Sequence, residues 1–241
     1  MHIRNIIYHI IDFLFPSYCV NCKKLISYKE MCLCNGCLQK IDYLKNTCEI
    51  CSGDIIENKC TICSSRKLFI DKNIAVAAYA GVIKEILHNY KFNKRRRLYK
   101  HISLLSLNHI IRYKELIDAV TSVPINRKKR WERGFNQSEL IARDISRKLG
   151  KKYRSILKEK YHFKTQKKLG YRERFLNILD RYYIKNAGLV AGKTILIIDD
   201  VFTTGATINE CARILKSFGA DRVYSLTIAK ADIKRVDNFL F

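Results

Sequence analysis

The sequence predicts an α/β fold with a mainly parallel sheet flanked by helices, preceded by a small cysteine-rich module at the N-terminus. Apolar runs of strand length alternate with stretches of helix length along residues 67–241, which is typical of a parallel sheet. One run, Ile195–Ile198, is apolar on both faces, as in a central strand that helices cover on both sides. Nine of the ten cysteines lie between Cys19 and Cys63, so we divide the chain into residues 1–66 and 67–241.

The elements of the larger unit follow from these runs and their punctuation. Gly219 predicts a helix end, and the next strand follows it. The predicted strands are Ile74–Tyr79, Ala119–Pro124, Thr194–Ile198 and Val223–Ile228. The predicted helices are Val82–Tyr90, Leu98–Arg112, Gln137–Leu149 and Ala206–Phe218. Before the cysteines, an apolar stripe between Ile3 and Leu14 predicts an amphipathic helix that packs on its own protein, with a membrane surface as the less favoured alternative.

The composition favours a folded protein without an integral membrane span. Of the 241 residues, 48% are hydrophobic, which excludes a disordered chain. The apolar run Ile6–Phe15 is far shorter than the roughly 20 residues that cross a bilayer, and it lacks the features of a secretory signal. We therefore expect a cytoplasmic protein in which disulfides are disfavoured.

Positive charge is concentrated in the middle of the chain. The formal net charge is +24, and residues 91–174 hold 26 Lys or Arg against 7 Asp or Glu. This excess favours a polyanionic partner such as phosphate, nucleic acid or an acidic membrane, with a solvated basic face as the alternative. The candidate DNA-binding residues are Arg95, Arg96, Arg97, Lys128, Lys129, Lys167 and Lys168. The candidate stacking aromatics are Tyr99, Trp131, Tyr161, Phe163 and Tyr171.

The cysteine module contains four C-x-x-C pairs. They are Cys19/Cys22, Cys34/Cys37, Cys48/Cys51 and Cys60/Cys63. Two thiolates on one tight turn facing two on another supply the tetrahedral ligand set of structural zinc, so the spacing predicts two zinc ions. Pairing of neighbours in sequence is the simplest arrangement, interleaved pairing is the alternative, and a redox role is a weaker competitor. Cys32 is left over.

The segment from Thr194 to Thr207 predicts a site for a phosphorylated sugar. A buried strand ends in two neighbouring carboxylates and passes through a short Thr/Gly loop into a helix. Backbone N–H groups and hydroxyls at a helix N-terminus can surround a phosphate, and the carboxylates can accept from vicinal sugar hydroxyls or support a divalent metal. The alternative is that the acidic pair only caps the helix. The candidate residues are Asp199, Asp200, Thr203, Thr204, Gly205, Ala206 and Thr207.

A cationic loop, residues 123–137, directly follows another predicted strand. Ligands of open α/β sheets bind at the carboxyl ends of the strands, so this loop could hold a pyrophosphate or phosphate. Its candidate residues are Pro124, Arg127, Arg130 and Arg133. The three arginines recur every third residue and would share one side of a helix, although a solvated basic face is the alternative. Farther on, the polar segment Gln166–Asn177 is interpreted as a mobile lid or crossing segment.

The acidic strand end and its loop resemble the thirteen-residue phosphoribosyl-pyrophosphate (PRPP) motif of type I phosphoribosyltransferases. The resemblance implies that Asp199 and Asp200 bind the ribose hydroxyls, that the Thr203–Thr207 loop surrounds the 5′-phosphate, and that Mg²⁺ accompanies PRPP. Purine-salvage members carry a catalytic carboxylate where this chain has Thr203. No catalytic residue is therefore predicted.

Three motifs together are similar to the ComF (ComFC-type) competence family. They are R-x-x-R-G-F-N-Q at Arg130–Gln137, Q-x-x-L-x-x-x-x-R-x-x-N at Gln166–Asn177 and D-D-V-x-T-T-G-A-T at Asp199–Thr207. Lys91-Phe92 also resembles a family K-[YF] step. The resemblance implies a double zinc ribbon joined to a phosphoribosyltransferase-like fold, acting on single-stranded DNA during natural transformation with proteins of the competence machinery. The alternative function is an active Mg-dependent phosphoribosyltransferase that uses PRPP and an unidentified acceptor.

Overall fold

A computed structural model of the chain describes residues 16–27, 32–60, 62–64, 67–93, 95–160 and 180–231. The predicted amphipathic helix and the segment Gln166–Asn177, with Lys167 and Lys168, lie outside the described residues. Three of the candidate aromatics, Tyr161, Phe163 and Tyr171, also lie outside them.

A five-stranded sheet forms the centre of the larger unit. In chain order its strands are β5 (Lys72–Ala78), β6 (Ala119–Ser122), β7 (Lys152–Tyr153), β10 (Thr194–Phe202) and β11 (Arg222–Lys230). The spatial order is β5-β11-β10-β6-β7, and every pair is parallel. The predicted parallel α/β fold is thereby confirmed.

Helices cover both faces of this sheet. They are α2 (Gly81–Phe92), α3 (Tyr99–Ile110), α4 (Arg127–Arg133), α5 (Gln137–Lys148) and α6 (Ala206–Ser217), and a short α1 (Asn35–Leu38) lies in the cysteine module. Apolar residues of α2, α3 and α5 pack with Leu196 and Ile198 on one face. Those of α6 pack with Ile195 and Ile197 on the other face, which explains why this strand has no polar side.

The four strands and four helices predicted for the larger unit are all present, with differences at their ends. The helix predicted over Leu98–Arg112 is shorter than expected, because 3-10 turns at Arg96–Leu98 and Ile111–Leu116 flank α3. An antiparallel pair of short strands, β8 (Leu157–Glu159) and β9 (Tyr182–Ile184), was not anticipated by the sequence. Within the described residues no helix is both long enough and apolar enough to cross a bilayer.

The cysteine module joins the outer strand β5 through its backbone. The module contains two short antiparallel ladders, β1 (Ser17–Tyr18) with β2 (Leu25–Ile26) and β3 (Ile55–Ile56) with β4 (Lys59–Cys60). The N–H of Leu44 donates to the carbonyl of Val76 at 3.3 Å, and the N–H of Ala78 donates to that of Asp42 at 2.9 Å. The module therefore adds a short extended segment alongside the sheet.

An ion pair reinforces this attachment. The Lys230 ammonium at the end of β11 lies 2.7 Å from Asp54 in the module, and only 5% of the Lys230 side chain is exposed. A buried lysine needs a partner, so removal of Asp54 would leave an uncompensated charge.

Candidate functional site

The two neighbouring aspartates lie within β10 rather than after its end, which corrects the predicted boundary at Ile198. Pairing with β6 stops at Ile198, whereas pairing with β11 continues from Asp199 to Phe202. One side of the strand is therefore open at Asp199 and Asp200. This open side lies at the carboxyl edge of the sheet, where ligands of open α/β sheets bind.

Side chains from two helices hold the acidic pair. Lys91, at the end of α2, places its ammonium 2.8 Å from the Asp200 carboxylate. The Ser138 hydroxyl, at the start of α5, donates to Asp199 Oδ1 at 3.0 Å, and the Asp200 N–H donates to the same oxygen at 2.9 Å. The Asp200 carboxylate is partly accessible, whereas the Asp199 carboxyl group is buried against the Ser138 hydroxyl although the residue as a whole is half-buried.

Asp199 has an unusual acidity. Burial of its carboxyl group and the neighbouring charge of Asp200 raise the pKa of Asp199 to about 7, against the lowering effects of the Ser138 hydrogen bond and of Lys91. Ionisation of a carboxyl group with this pKa costs free energy at neutral pH in the ligand-free protein. Hydroxyl donors of a ligand, or a cation, would relieve that cost.

The Asp199→Asn variant should be more stable than the wild type, by a margin that grows with pH. Because the folded pKa is raised above the unfolded value, the stability linked to this group is present at low pH and is lost as pH rises through about 7. Asn keeps an oxygen for Ser138 and for the Asp200 N–H. We expect the gain in unfolding free energy to be larger at pH 8 than at pH 5 by about 2 kcal/mol. Urea unfolding of both proteins at both pH values measures this, and an equal gain at both would contradict it.

The loop after β10 requires glycine at Gly205. Its φ of +71° is left-handed, and an added Cβ would lie 2.2 Å from the Phe202 ring. The Thr204 hydroxyl accepts from the N–H of Ala206 at 3.2 Å, while Thr203 is exposed. Gly205 directly precedes α6, whose first turn leaves backbone N–H groups without partners within the helix. The loop therefore offers hydroxyls and N–H groups next to the aspartates.

The cationic loop forms α4, a short exposed helix. The side-chain amide oxygen of Asn126 accepts from the N–H of Lys129 and caps the start of the helix, and Gly134, with φ of +78°, ends it. Arg130 lies 3.8 Å from Glu139, and Arg133 donates to the Gln137 side chain at 3.2 Å. The arginines are thus partly engaged with α5 rather than all free for one anion.

The structure separates the candidate residues into two places. Pro124, Arg127, Lys128 and Arg130 line a cleft of about 880 Å³ on the side of β6 that faces away from β10. The acidic pair, the Thr203–Thr207 loop and Arg133 are not among its lining residues.

Lys129 and the Arg95–Arg97 run do not line this cleft. Partial burial of the amine, together with the charges of Arg181 and Arg133, lowers the pKa of Lys129, although its side chain as a whole is exposed. The charge of Asp200 acts on it in the opposite direction, so Lys129 lies within electrostatic reach of the acidic pair. The Arg96 guanidinium lies 6.0 Å from the centre of the Phe135 ring.

Two features escaped the sequence analysis. The resemblance of Lys91-Phe92 to a family K-[YF] pair was noted from the sequence. Only the structure shows that the Lys91 ammonium contacts the Asp200 carboxylate. Asn136 caps α5 through the N–H groups of Ser138 and Glu139, and its amide donates to the Val123 carbonyl at 3.0 Å. Part of the R-G-F-N-Q motif therefore builds the turn that positions Ser138.

The cysteines form two separate four-thiol groups. The sulfurs of Cys19, Cys22, Cys34 and Cys37 lie within 4.8 Å of one another, as do those of Cys48, Cys51, Cys60 and Cys63. This confirms pairing of neighbours in sequence and excludes the interleaved alternative. Closest sulfur distances of 3.3 to 3.7 Å approach the separation of about 3.8 Å expected around tetrahedral zinc. Both groups therefore fit a structural metal ion of this kind.

Comparisons with known proteins agree with this geometry. The phosphoribosyl transferase domain model matches residues 136–238. Competence protein F of Haemophilus influenzae is 24% identical over 229 residues, which cover 90% of this chain and 98% of that protein. DNA utilization protein YhgH of Escherichia coli K12 is 32% identical over 156 residues, 62% of this chain and 68% of that protein. Competence protein ComFC of Streptococcus pneumoniae is 26% identical over 212 residues, 86% of this chain and 91% of that protein.

Proposed function

This chain belongs to the ComF-type competence family, and from that premise we propose that it is a DNA-uptake factor of natural transformation. In this proposal its phosphoribosyltransferase-like domain binds PRPP or a related phosphorylated sugar, and the protein handles incoming single-stranded DNA. Proteins of the competence machinery are its proposed partners.

The acidic pair and the loop after it support the sugar-phosphate part of the proposal. Asp199 and Asp200 are partly accessible at the open side of β10, and the Gly205 turn lies within a few residues of them. We assign the ribose hydroxyls to the two carboxylates and the 5′-phosphate to the Thr203–Thr207 loop. Lys91 must release Asp200, or share it, when a ligand hydroxyl binds.

The cationic residues support a role in holding the remaining phosphates. In our proposal the α4 segment contributes Arg127, Arg130 and Arg133 toward pyrophosphate, and Mg²⁺ accompanies PRPP and offsets its charge. The exposed Arg95–Arg97 run and Lys128 are assigned to DNA phosphates.

The cysteine module is assigned a structural role. We propose one zinc ion in each four-thiol group, with residues 1–66 as the zinc-binding unit and residues 67–241 as the ligand-binding unit. Within the described ranges each group consists of four thiols, which is the closed ligand set of structural zinc. We place the protein in the cytoplasm, where reduced thiolates are available for metal.

The observation that carries the proposal is the half-buried Asp199-Asp200 pair beside a glycine turn at the open side of β10, in a chain whose relatives are named for competence and DNA utilization. The test is a pair of titrations of the wild-type protein. Calorimetry with PRPP, with and without Mg²⁺, should show binding that Mg²⁺ strengthens. Anisotropy of a labelled DNA single strand should show affinity that falls steeply with salt, because cations on the strand are released.

Each half of the proposal can fail separately. Absence of PRPP binding would remove the sugar-phosphate assignment, and DNA affinity indifferent to salt would remove the electrostatic one. An assay of pyrophosphate release over a panel of nucleophiles tests turnover. Release would favour the alternative of an active phosphoribosyltransferase.

A further inference from the structure

A cleft of about 880 Å³ opens between α4 and the β8–β9 ladder, beyond the carboxyl end of β6. Neither the acidic pair nor the loop after β10 lines it, so it lies outside the part of the site assigned to ribose 5-phosphate, although it shares Arg127 and Arg130 with the segment assigned to pyrophosphate. Its volume lies in the upper part of the range found for ligand sites. The sequence analysis singled out no residue of β8 or β9. The function of the cleft is therefore inferred from the residues that line it.

The walls of the cleft carry an excess of positive charge. The basic residues that line it are Arg127, Lys128, Arg130, Lys158 and Lys160. The acidic residues that line it are already engaged: Glu139 lies 2.8 Å from Arg143, and Glu159 lies 2.7 Å from Arg181.

Within the part of the chain that the structure describes, the three lysines of this set have no such compensation. Among the residues that the structure describes, no carboxylate lies within ion-pair distance of Lys128, Lys158 or Lys160. The Lys158 ammonium donates to the Ser155 hydroxyl at 3.1 Å. Uncompensated ammonium groups around one concavity attract a polyanion.

An exposed aromatic ring stands beside one of these lysines. Tyr183 lies directly opposite Lys158 in the antiparallel β8–β9 pair, so both side chains are on the same face. The Tyr183 side of this face is open, with 45% of the residue exposed, whereas its neighbour Tyr182 is buried in the core. A second lining aromatic, Tyr153, is held by the Ser122 hydroxyl and covered by Arg143.

We propose that this cleft is the binding site for the single strand itself, with backbone phosphates on Lys128, Lys158 and Lys160 and a base stacked on Tyr183. Proteins that bind single strands combine a cationic groove with aromatic platforms, and the Lys158–Tyr183 pair supplies both within one cross-strand spacing. An acidic protein would contact the lysines but would not need the Tyr183 ring. The inference rests on the proposed DNA-handling function and locates it.

The test separates charge from stacking with three variants of the full-length protein. Lys158→Gln/Lys160→Gln removes two phosphate contacts, and Tyr183→Leu removes the ring. Tyr183→Phe keeps the ring. Lys114→Gln/Lys193→Gln is the matched control, since it makes the same charge change outside the cleft-lining set. Anisotropy of a fluorescein-labelled single strand of about 20 nucleotides is measured from low to high salt.

The two kinds of change should have different signatures. The double lysine variant should bind about tenfold more weakly near 0.1 M salt, and its slope of log affinity against log salt should be shallower by about 1.4. Tyr183→Leu should also bind about tenfold more weakly, with the wild-type slope, and Tyr183→Phe should bind like the wild type. The control variant Lys114→Gln/Lys193→Gln should keep more than half of the wild-type slope of log affinity against log salt. Thermal melts of all variants exclude unfolding as the cause.

Two outcomes overturn the inference without touching the proposed function. Wild-type affinity and slope in Lys158→Gln/Lys160→Gln would show that the strand binds elsewhere on the protein. Wild-type affinity in Tyr183→Leu, with weak binding in the lysine variant, would indicate a surface for any polyanion, such as an acidic protein. Failure of the wild-type protein to bind the strand at low salt would instead contradict the proposed function.

Discussion

Replacement of both Asp199 and Asp200 by Asn should abolish PRPP binding while the fold is retained. Each carboxylate in our assignment accepts a charge-assisted hydrogen bond from ribose, worth about 1.5–3 kcal/mol. Loss of both therefore lowers the affinity by about 10²- to 10⁴-fold. The variant also removes the ion pair of Lys91 with Asp200, whose side chains are only 16% and 17% exposed, so a thermal melt of the variant accompanies the titration to show that it is folded. Calorimetric titration of PRPP in the presence of Mg²⁺ measures the effect.

The control for this experiment is a variant with the same number of charges removed elsewhere. Glu115→Gln/Asp221→Asn changes two exposed acids outside the site and should bind PRPP normally. The Asn variant should still bind a DNA single strand, since the residues assigned to DNA are untouched. Normal PRPP binding by the Asp199→Asn/Asp200→Asn protein would show that the two carboxylates do not hold the sugar.

Removal of metal should unfold the cysteine module. About sixty residues cannot bury enough apolar surface to fold alone, and binding of zinc to thiolates supplies folding free energy of about 10–16 kcal/mol per site. Protein purified without chelator should contain about two equivalents of zinc by mass spectrometry of metals. A strong chelator should lower the unfolding temperature and remove both ions.

Cysteine variants assign each ion to its group. Cys19→Ala/Cys22→Ala and Cys48→Ala/Cys51→Ala should each lose one equivalent, because each removes half of one four-thiol set. Cys32→Ala is the control. Burial raises the pKa of the Cys32 thiol to about 12, and its sulfur belongs to neither group. Two equivalents of zinc in either double variant would contradict the assignment of ligands.

The sequence predicted the features that depend on local pattern. Apolar runs and glycine punctuation gave all four strands and all four helices of the expected set, because burial on the two faces of a parallel sheet imposes a recognisable periodicity. The C-x-x-C spacing predicted the metal groups, since the spacing itself defines a tight turn with two thiolates.

The features that escaped prediction depend on contacts between distant segments. Lys91 meets Asp200 across more than a hundred residues, and no periodicity encodes that meeting. Strands as short as β8 and β9 are shorter than any window in which alternation can be measured. The end of β10 was misplaced because Asp199 and Asp200 interrupt the apolar run, although hydrogen bonds to β11 keep the backbone extended to Phe202. Backbone pairing thus overrode side-chain polarity.

The attachment of the cysteine module to β5 has a consequence for how this protein can be handled. An uncovered outer strand is a template on which another chain can form a ladder, and natural proteins block such templates. Here Asp42 and Leu44 occupy backbone groups of Ala78 and Val76, which β5 would otherwise present to neighbouring molecules. A chain trimmed to residues 67–241 would expose them, so loss of zinc or truncation should lead to self-association before it affects the ligand site. The module therefore prevents aggregation through the edge strand β5, in addition to supplying the metal ligands.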